Sequence, residues 1–443
     1  MYILASQSTT GENELKAITV TPNGWSNQWS GVVNNQRVLQ KFGCSVRDIP
    51  LTYGRPSLGY SILSNSLSDG LAYDGAHYED NPKREILEGI DGVLTSGCAG
   101  FTWDVVAHAA YPFGSTHLLK KTIRSDPGNV DLLVLGPYSN VAALIQDDPT
   151  IIEDIRTIYI SGGYGVHGSL ATNMDVEEVA RLQDASNVTR PDYDKTKTPS
   201  VWNGGQNIYL DANAASLVYS SVAMCQRDLA LQGHGEPEGL KHPKRCPEMI
   251  LMSGLAQHDL QMTTEQENEA LCTPHCDSST LQQNIKQLYD NIPTCLHETV
   301  DDFYYWDQSV ALLAMGHDDF CEEWITRKIT VSLVDGPFFG AVLDDTKYGA
   351  EIRACNKANR TKFLDTCKCP RFFYAAHTYW RRSNSLDDYR LGGISRLGRR
   401  CGCLWFSNIF STNGVLRLSS QRKIDMVHNR WRSSVYDLAI PSM

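Results

Sequence analysis

One carboxylate in this chain stands where chemistry needs it. Asp307 follows Trp306 within Asp302-Asp-Phe-Tyr-Tyr-Trp-Asp-Gln-Ser-Val-Ala-Leu-Leu, at the head of an apolar helical run. An Asp there serves as a helix N-cap. A carboxylate at a helix N-terminus beside aromatic rings is equally a metal or hydroxyl ligand, and the pattern leaves both readings open. Cys272-Thr-Pro-His-Cys276, with Cys246, Cys295 and His297 nearby, holds thiolate and imidazole donors. Structural zinc sites show paired, regular spacings. These are absent, so disulfides are the expected state of the cluster. Gly163-Tyr-Gly-Val-His-Gly168 matches G-x-G-x-x-G after an apolar run, but Ser-Leu-Ala-Thr follows where a dinucleotide site needs an apolar helix. It reads as a glycine-rich turn.

These residues sit on an alternation of strands and helices. Strands are expected at 15–21, 48–53, 130–135, 155–160, 208–210 and 329–334, and helices at 1–8, 28–42, 102–123, 140–145, 212–222 and 302–315. Val130–Leu135 (VDLLVL) is the clearest buried strand. Alternation of this kind predicts an α/β fold: an open, mostly parallel sheet with helices on both faces. Ligands of such sheets bind beyond the carboxyl ends of the strands. The residues there are Pro22-Asn-Gly24, Gly136-Pro-Tyr-Ser-Asn140 and Gly162-Gly163. Residues 225–300 break the alternation. They hold five cysteines and five of the twelve histidines, and are expected to form a Cys-rich insertion, helical at 281–289.

Composition sets the outer bounds. The 443 residues are 42% hydrophobic and 21% charged, which describes an ordinary globular protein and excludes collagen-like or wholly disordered chains. No apolar run is long enough to span a bilayer, and no signal peptide is recognisable at the start. The net charge of −11 conceals two unlike parts. Residues 368–443 carry 13 Lys and Arg against 4 Asp, a balance of +9, while the first 367 residues sum to −20. Such a tail is expected to be irregular, and no nucleic-acid partner is expected for it. The thirteen cysteines and the sequons Asn187-Val-Thr and Asn359-Arg-Thr point toward a secreted or lumenal protein without fixing the compartment.

Five segments, in order, give the chain a specific resemblance. Leu135-Gly-Pro-Tyr-Ser-Asn-Val-Ala is similar to an L-G-P-x-x-N-x-A segment of the inosine/uridine-preferring nucleoside hydrolases. Ile155-Arg-Thr-Ile-Tyr-Ile-Ser-Gly-Gly resembles that family's I-x-x-I-x-x-M-G-G. Asn207-Ile-Tyr-Leu-Asp-Ala-Asn-Ala-Ala resembles its E-x-N-x-x-x-D-P-x-A-A. Tyr305-Trp-Asp307 fits the form in which Trp precedes a metal-binding Asp, and Ile18-Thr-Val-Thr-Pro-Asn23 fits a strand ending in a T-V-x-x-N turn. The likeness covers about residues 1–366.

The resemblance implies hydrolysis of the N-glycosidic bond of ribonucleosides, purine or pyrimidine, with a bound Ca²⁺. Carried over to this sequence, Asp307 would ligate the metal through its carboxylate and Ser139 through its backbone carbonyl. Trp306 would wall the site, Asn23 would lie near the ribose, and Asn207 or Asn203 would hold ribose hydroxyls. No membrane partner is expected, and a homo-oligomer is compatible. Two departures stand out. The family's opening D-x-D-x-x-x-D-D loop, source of its general base, has no counterpart here, so the chain reads as one that starts late and no catalytic base is assigned. The family's Glu before Asn is replaced by Gly205 or Val201.

Overall fold

The computed structural model describes residues 13–21, 49–55, 57, 114–165, 175–177, 205–231, 245–263, 302–303, 305–333, 338, 340–368 and 412–418, with helical positions at 32, 35, 36 and 39. Expectations for 1–8, for most of 28–42, for 102–113, and for Cys272, Cys276 and Cys295 lie outside them.

A nine-stranded sheet organises the chain. Its strands are β1 (Asn13–Val20), β2 (Leu51–Tyr53), β3 (Val130–Val134), β4 (Ile155–Ser161), β5 (Glu248–Met252), β8 (Cys321–Val331), β9 (Val342–Asp344), β10 (Ala350–Ala358) and β11 (Thr412–Leu418). They lie in the order β2-β1-β11-β3-β4-β5-β10-β8-β9. The run β3-β4-β5-β10 is parallel, as is β1 with β2. Antiparallel pairing enters at β8 and β9 on one edge and at β11 in the interior. Two two-residue strands, β6 (Met262–Thr263) and β7 (Asp302–Phe303), pair separately. The fold is therefore mixed α/β, with the expected parallel core.

β3 and β4 are buried on both faces, which is why they read as nearly continuous apolar runs. On one face Val130, Leu132 and Val134 pack with Ile158 and Ile160. Helices α1 (Gly114–Arg124), α2 (Ser139–Asp147) and α4 (Ala212–Leu231) cover that side. On the other, Leu133, Leu135, Ile18 and Met252 meet α6 (Trp306–Ala314) and Phe363 of α7 (Arg360–Lys368). Between β3 and β4 the buried Asp131 takes a hydrogen bond from Arg156 Nε at 2.8 Å. Burial pushes that carboxyl up, and the guanidinium pulls the other way.

Several expectations are corrected. Residues 206–209 form a short helix, α3 (Gln206–Tyr209), not a strand: three apolar residues carry no periodicity to separate the two. The reading of 225–300 as an insertion is corrected at its start and at 248–259. Residues 225–231 finish α4. Glu248–Met252 is a core strand that leads into α5 (Gly254–Asp259). The apolar Met-Ile-Leu-Met run is only four residues long and was masked by its polar flanks. β10 was also missed, although Ala350, Ile352 and Ala354 alternate inward against Glu351 and Arg353. Asn359 of the second sequon caps α7, its Oδ1 accepting from Lys362 N at 3.0 Å. The tail supplies β11, whose neighbours β1 and β3 pair with it by backbone register from Asn13↔Leu418 to Asn413↔Val134.

Among the described residues two disulfides are formed. Cys225–Cys246 ties the end of α4 to the approach to β5, and Cys321–Cys355 joins β8 to β10. No helix of the described residues is long and apolar enough to cross a membrane.

Candidate active site

The carboxyl ends of β3, β4 and β5 gather the polar side chains that the fold buries at one place. β3 ends at Val134, and the chain turns through Gly-Pro-Tyr into α2. Tyr138 there is fully buried, with its hydroxyl 3.3 Å from that of Tyr219 on α4. Burial raises both phenols, Tyr219 to about 12, so both stay protonated and act as struts.

Ser139 opens α2. Its hydroxyl donates to Asp211 Oδ2 at 2.5 Å, and Asp211 Oδ1 accepts from Ala214 N at 3.1 Å as the cap of α4. The Ser139 side chain is thereby committed to structure. Its carbonyl lies in the first helical turn, where one lone pair serves the helix and the second is left for another ligand.

Asn140, fully buried, joins three elements. Its Oδ1 accepts from Arg55 N at 2.9 Å and from Ser115 Oγ at 3.2 Å, and its Nδ2 donates to Thr19 Oγ1 at 3.2 Å. Gly54 must be glycine because a Cβ there would fall 1.7 Å from Asn140 Oδ1. The end of β1 and the loop after β2 are thus fixed against the β3 exit.

Asn207 sits on α3, reached through Gly205 at φ 75°, a left-handed conformation suited to glycine. Its Nδ2 lies 3.3 Å from Leu135 O and 3.5 Å from Ser161 O, bridging the exits of β3 and β4. Gly162 and Gly163 follow β4 at φ 75° and 107°, which bears out the glycine-rich turn at its described end. Asp307 is 7% exposed in the first turn of α6, and Trp306 beside it is 43% exposed.

Of the sequence-predicted residues, the structure places Ser139, Asn207, Trp306 and Asp307 around these strand exits. Asn23 and Asn203 lie outside the described residues. Sequence reasoning passed over Asp211, Ser161 and Gln257. Gln257 donates from Nε2 to Ser161 Oγ and to Trp306 O, each at 3.1 Å. The signal that would have found it was the strand before it: recognising β5 puts Gln257 in the first helix beyond a core strand.

The comparisons agree with this layout. The profile of the family described as inosine-uridine preferring nucleoside hydrolase matches residues 1–365, and the chain belongs to that family. Among solved structures, a plant nucleoside hydrolase is similar at 16% identity and TM-score 0.52, covering 83% of this chain and 94% of its own. A purine-preferring ribonucleoside hydrolase from Gardnerella vaginalis reaches TM-score 0.53 at 13% identity, over 84% and 95%. An inosine-guanosine nucleoside hydrolase gives 0.51 at 16%, over 83% and 93%. No curated protein matches in sequence. The chain is thus an N-glycosidase acting on nucleosides.

The family is generally metal-dependent. Ca²⁺ asks for about six to eight oxygen ligands, several of them anionic. Among the described residues no three His, Cys, Asp or Glu side chains converge on a metal-sized site. Asp307 and the Ser139 carbonyl do not by themselves fit calcium.

Proposed function

We propose that this protein hydrolyses ribonucleosides, purine or pyrimidine, to ribose and free base at the carboxyl ends of β3, β4 and β5. The observation that carries the reading is the joint placement of Asn207, Ser161, Gln257, Trp306 and Asp307 at those exits in a chain of this family.

The reaction adds water across the C–N bond: oxygen joins the anomeric carbon, and the departing nitrogen takes a proton. Positive charge builds on the ribosyl ring in between. The Asp307 carboxylate, itself buried, stabilises that charge electrostatically, worth more there than in water. Asn207 holds ribose hydroxyls while its Nδ2 is braced on Leu135 and Ser161. Trp306 walls the base or the sugar. Calcium remains the ion implied by resemblance, with Asp307 and Ser139 as its contributors from this chain. The two disulfides favour a secreted or lumenal location.

Incubation with inosine and with uridine, with added Ca²⁺ or with chelator, and assay of released ribose tests this. Ribose from either nucleoside supports it, and none from any ribonucleoside refutes it. Asp211 is committed to capping α4, which leaves Asp307 as the described carboxylate available to a substrate and favours a second reading, a relative that binds nucleosides without turnover. Calorimetry separates the two: heat of nucleoside binding without ribose release selects the second.

A further inference from the structure

Gln257 occupies a position that neither Asp307 nor Asn207 explains. It lies on α5, only 5% exposed, in the first turns beyond β5. Ser253 caps that helix, accepting from Ala256 N at 3.1 Å, and its own N–H is tied to Cys355 O of β10. The helix start is therefore anchored to the sheet before Gln257 is reached. From there one nitrogen serves two acceptors. Gln257 Nε2 donates at 3.1 Å to Ser161 Oγ, at the end of β4, and at 3.1 Å to the carbonyl of Trp306, at the start of α6. The same carbonyl accepts from Ser309 Oγ at 2.6 Å. Gly162 packs close by: a Cβ there would stand 3.4 Å from Gln257 Oε1.

We propose that Gln257 is a positioning residue for the Trp306–Asp307 corner, acting through its two amide protons on Trp306 O and Ser161 Oγ. This rests on the hydrolase reading for its catalytic consequence, though not for its geometry. The chemistry selects a carboxamide. A hydrophobe of the same length takes the amide donor from the buried Ser161 Oγ and leaves the Trp306 carbonyl to Ser309 Oγ alone. An ionised carboxylate sets negative charge against a carbonyl oxygen, whereas a protonated carboxyl can donate again. Trp306 is bonded covalently to Asp307, so a shift of the Trp306 carbonyl moves both groups, and misplacement by about 1 Å is costly at a reacting centre.

The test uses full-length protein labelled with 5-fluorotryptophan. Its nine tryptophans give nine fluorine resonances, with Trp306 assigned through Trp306→Phe. In Gln257→Met the Trp306 resonance should move or broaden while most others stay in place, and kcat/KM for ribose release should fall at least tenfold. Gln257→Glu should resemble Gln257→Met at neutral pH. As pH falls and the new carboxyl takes a proton, its Trp306 resonance should return toward the wild-type position. An unchanged Trp306 resonance in both variants overturns the proposal. So does a displacement of all nine resonances in Gln257→Glu that low pH does not reverse. Wild-type protein that releases no ribose defeats the hydrolase reading alone, because the fluorine spectrum reports Trp306 without turnover.

Discussion

Asp307 combines near-complete burial with a place in the first turn of α6, so its charge serves both the helix and the site. Asp307→Asn keeps the shape and removes the charge. Stability should fall by only about 0.5 kcal/mol, the worth of an acidic residue at a helix start. The kcat/KM for ribose release should fall about 100-fold, the scale of losing one electrostatic partner of the transition state. Thermal melting and ribose assays on the same preparations separate the two effects. Asp211 should behave in reverse. Asp211→Ala removes the cap of α4 and orphans the buried Ser139 hydroxyl, so it should cost about 2 kcal/mol by denaturant titration. Both residues stood in segments whose spacing was readable in the sequence. Asp307 declared itself because an aromatic cluster and an apolar helix flank it. Asp211 did not, because a cap that also receives a hydroxyl from 72 positions away is defined by tertiary contact, not by local pattern.

Elements were legible in proportion to how much apolar surface they bury along a continuous run. β3 and β4 could be read nearly to the residue because both faces are covered. β5 and β10 escaped notice, the first through shortness among polar neighbours, the second because charged residues alternate along it. What no periodicity reveals is how elements are fastened. Asp148 fastens three. It accepts from Thr150 N and Oγ1 at the start of a 3-10 turn and takes Arg124 Nη2 of α1 at 2.8 Å, with Lys120 Nζ 3.4 Å away. Arg124 first, then Thr150, hold its carboxyl well below the usual carboxylate range. A depressed pKa contributes stability that is present above the unfolded value, about 3.9, and lost as pH falls below it. Asp148→Asn should cost about 1 kcal/mol at pH 7, because the partners are half exposed. Urea titrations at pH 7 and pH 3 should show that difference shrinking in acid. The Cys225–Cys246 disulfide is a second fastener. Its 21-residue separation corresponds to about 3 kcal/mol by loop-closure entropy. Cys246→Ser should lower Tm clearly, and reductant should lower it further, because reduction also opens Cys321–Cys355.

At the scale of the molecule, the division between an acidic body and a basic tail does not follow the division of the sheet. β11 comes from the segment of opposite charge and still lies between β1 and β3. Backbone pairing requires nothing of composition, which is why an Arg-rich stretch could be read as irregular and still supply a strand. Leu416 stands in register with Leu15 on one side and Asp131 on the other. Leu416→Pro removes a ladder donor from the sheet interior and should cost at least about 3 kcal/mol, read as a lower midpoint in denaturant. A midpoint within error of wild type would show that the strand carries no stability.

The same strand sets a clock on assembly. About 400 residues separate β1 from the partner that completes its hydrogen bonding, and β3 waits for about 280. At ribosomal rates of roughly 5–20 residues per second, β1 leaves the tunnel roughly 20–80 s before β11 exists. From the time β3 is made until β11 exists, both strands lack their shared partner, and a bare strand edge invites pairing with the wrong chain. Yield of native protein should therefore depend on synthesis speed and on strand-shielding chaperones far more than its final stability would suggest.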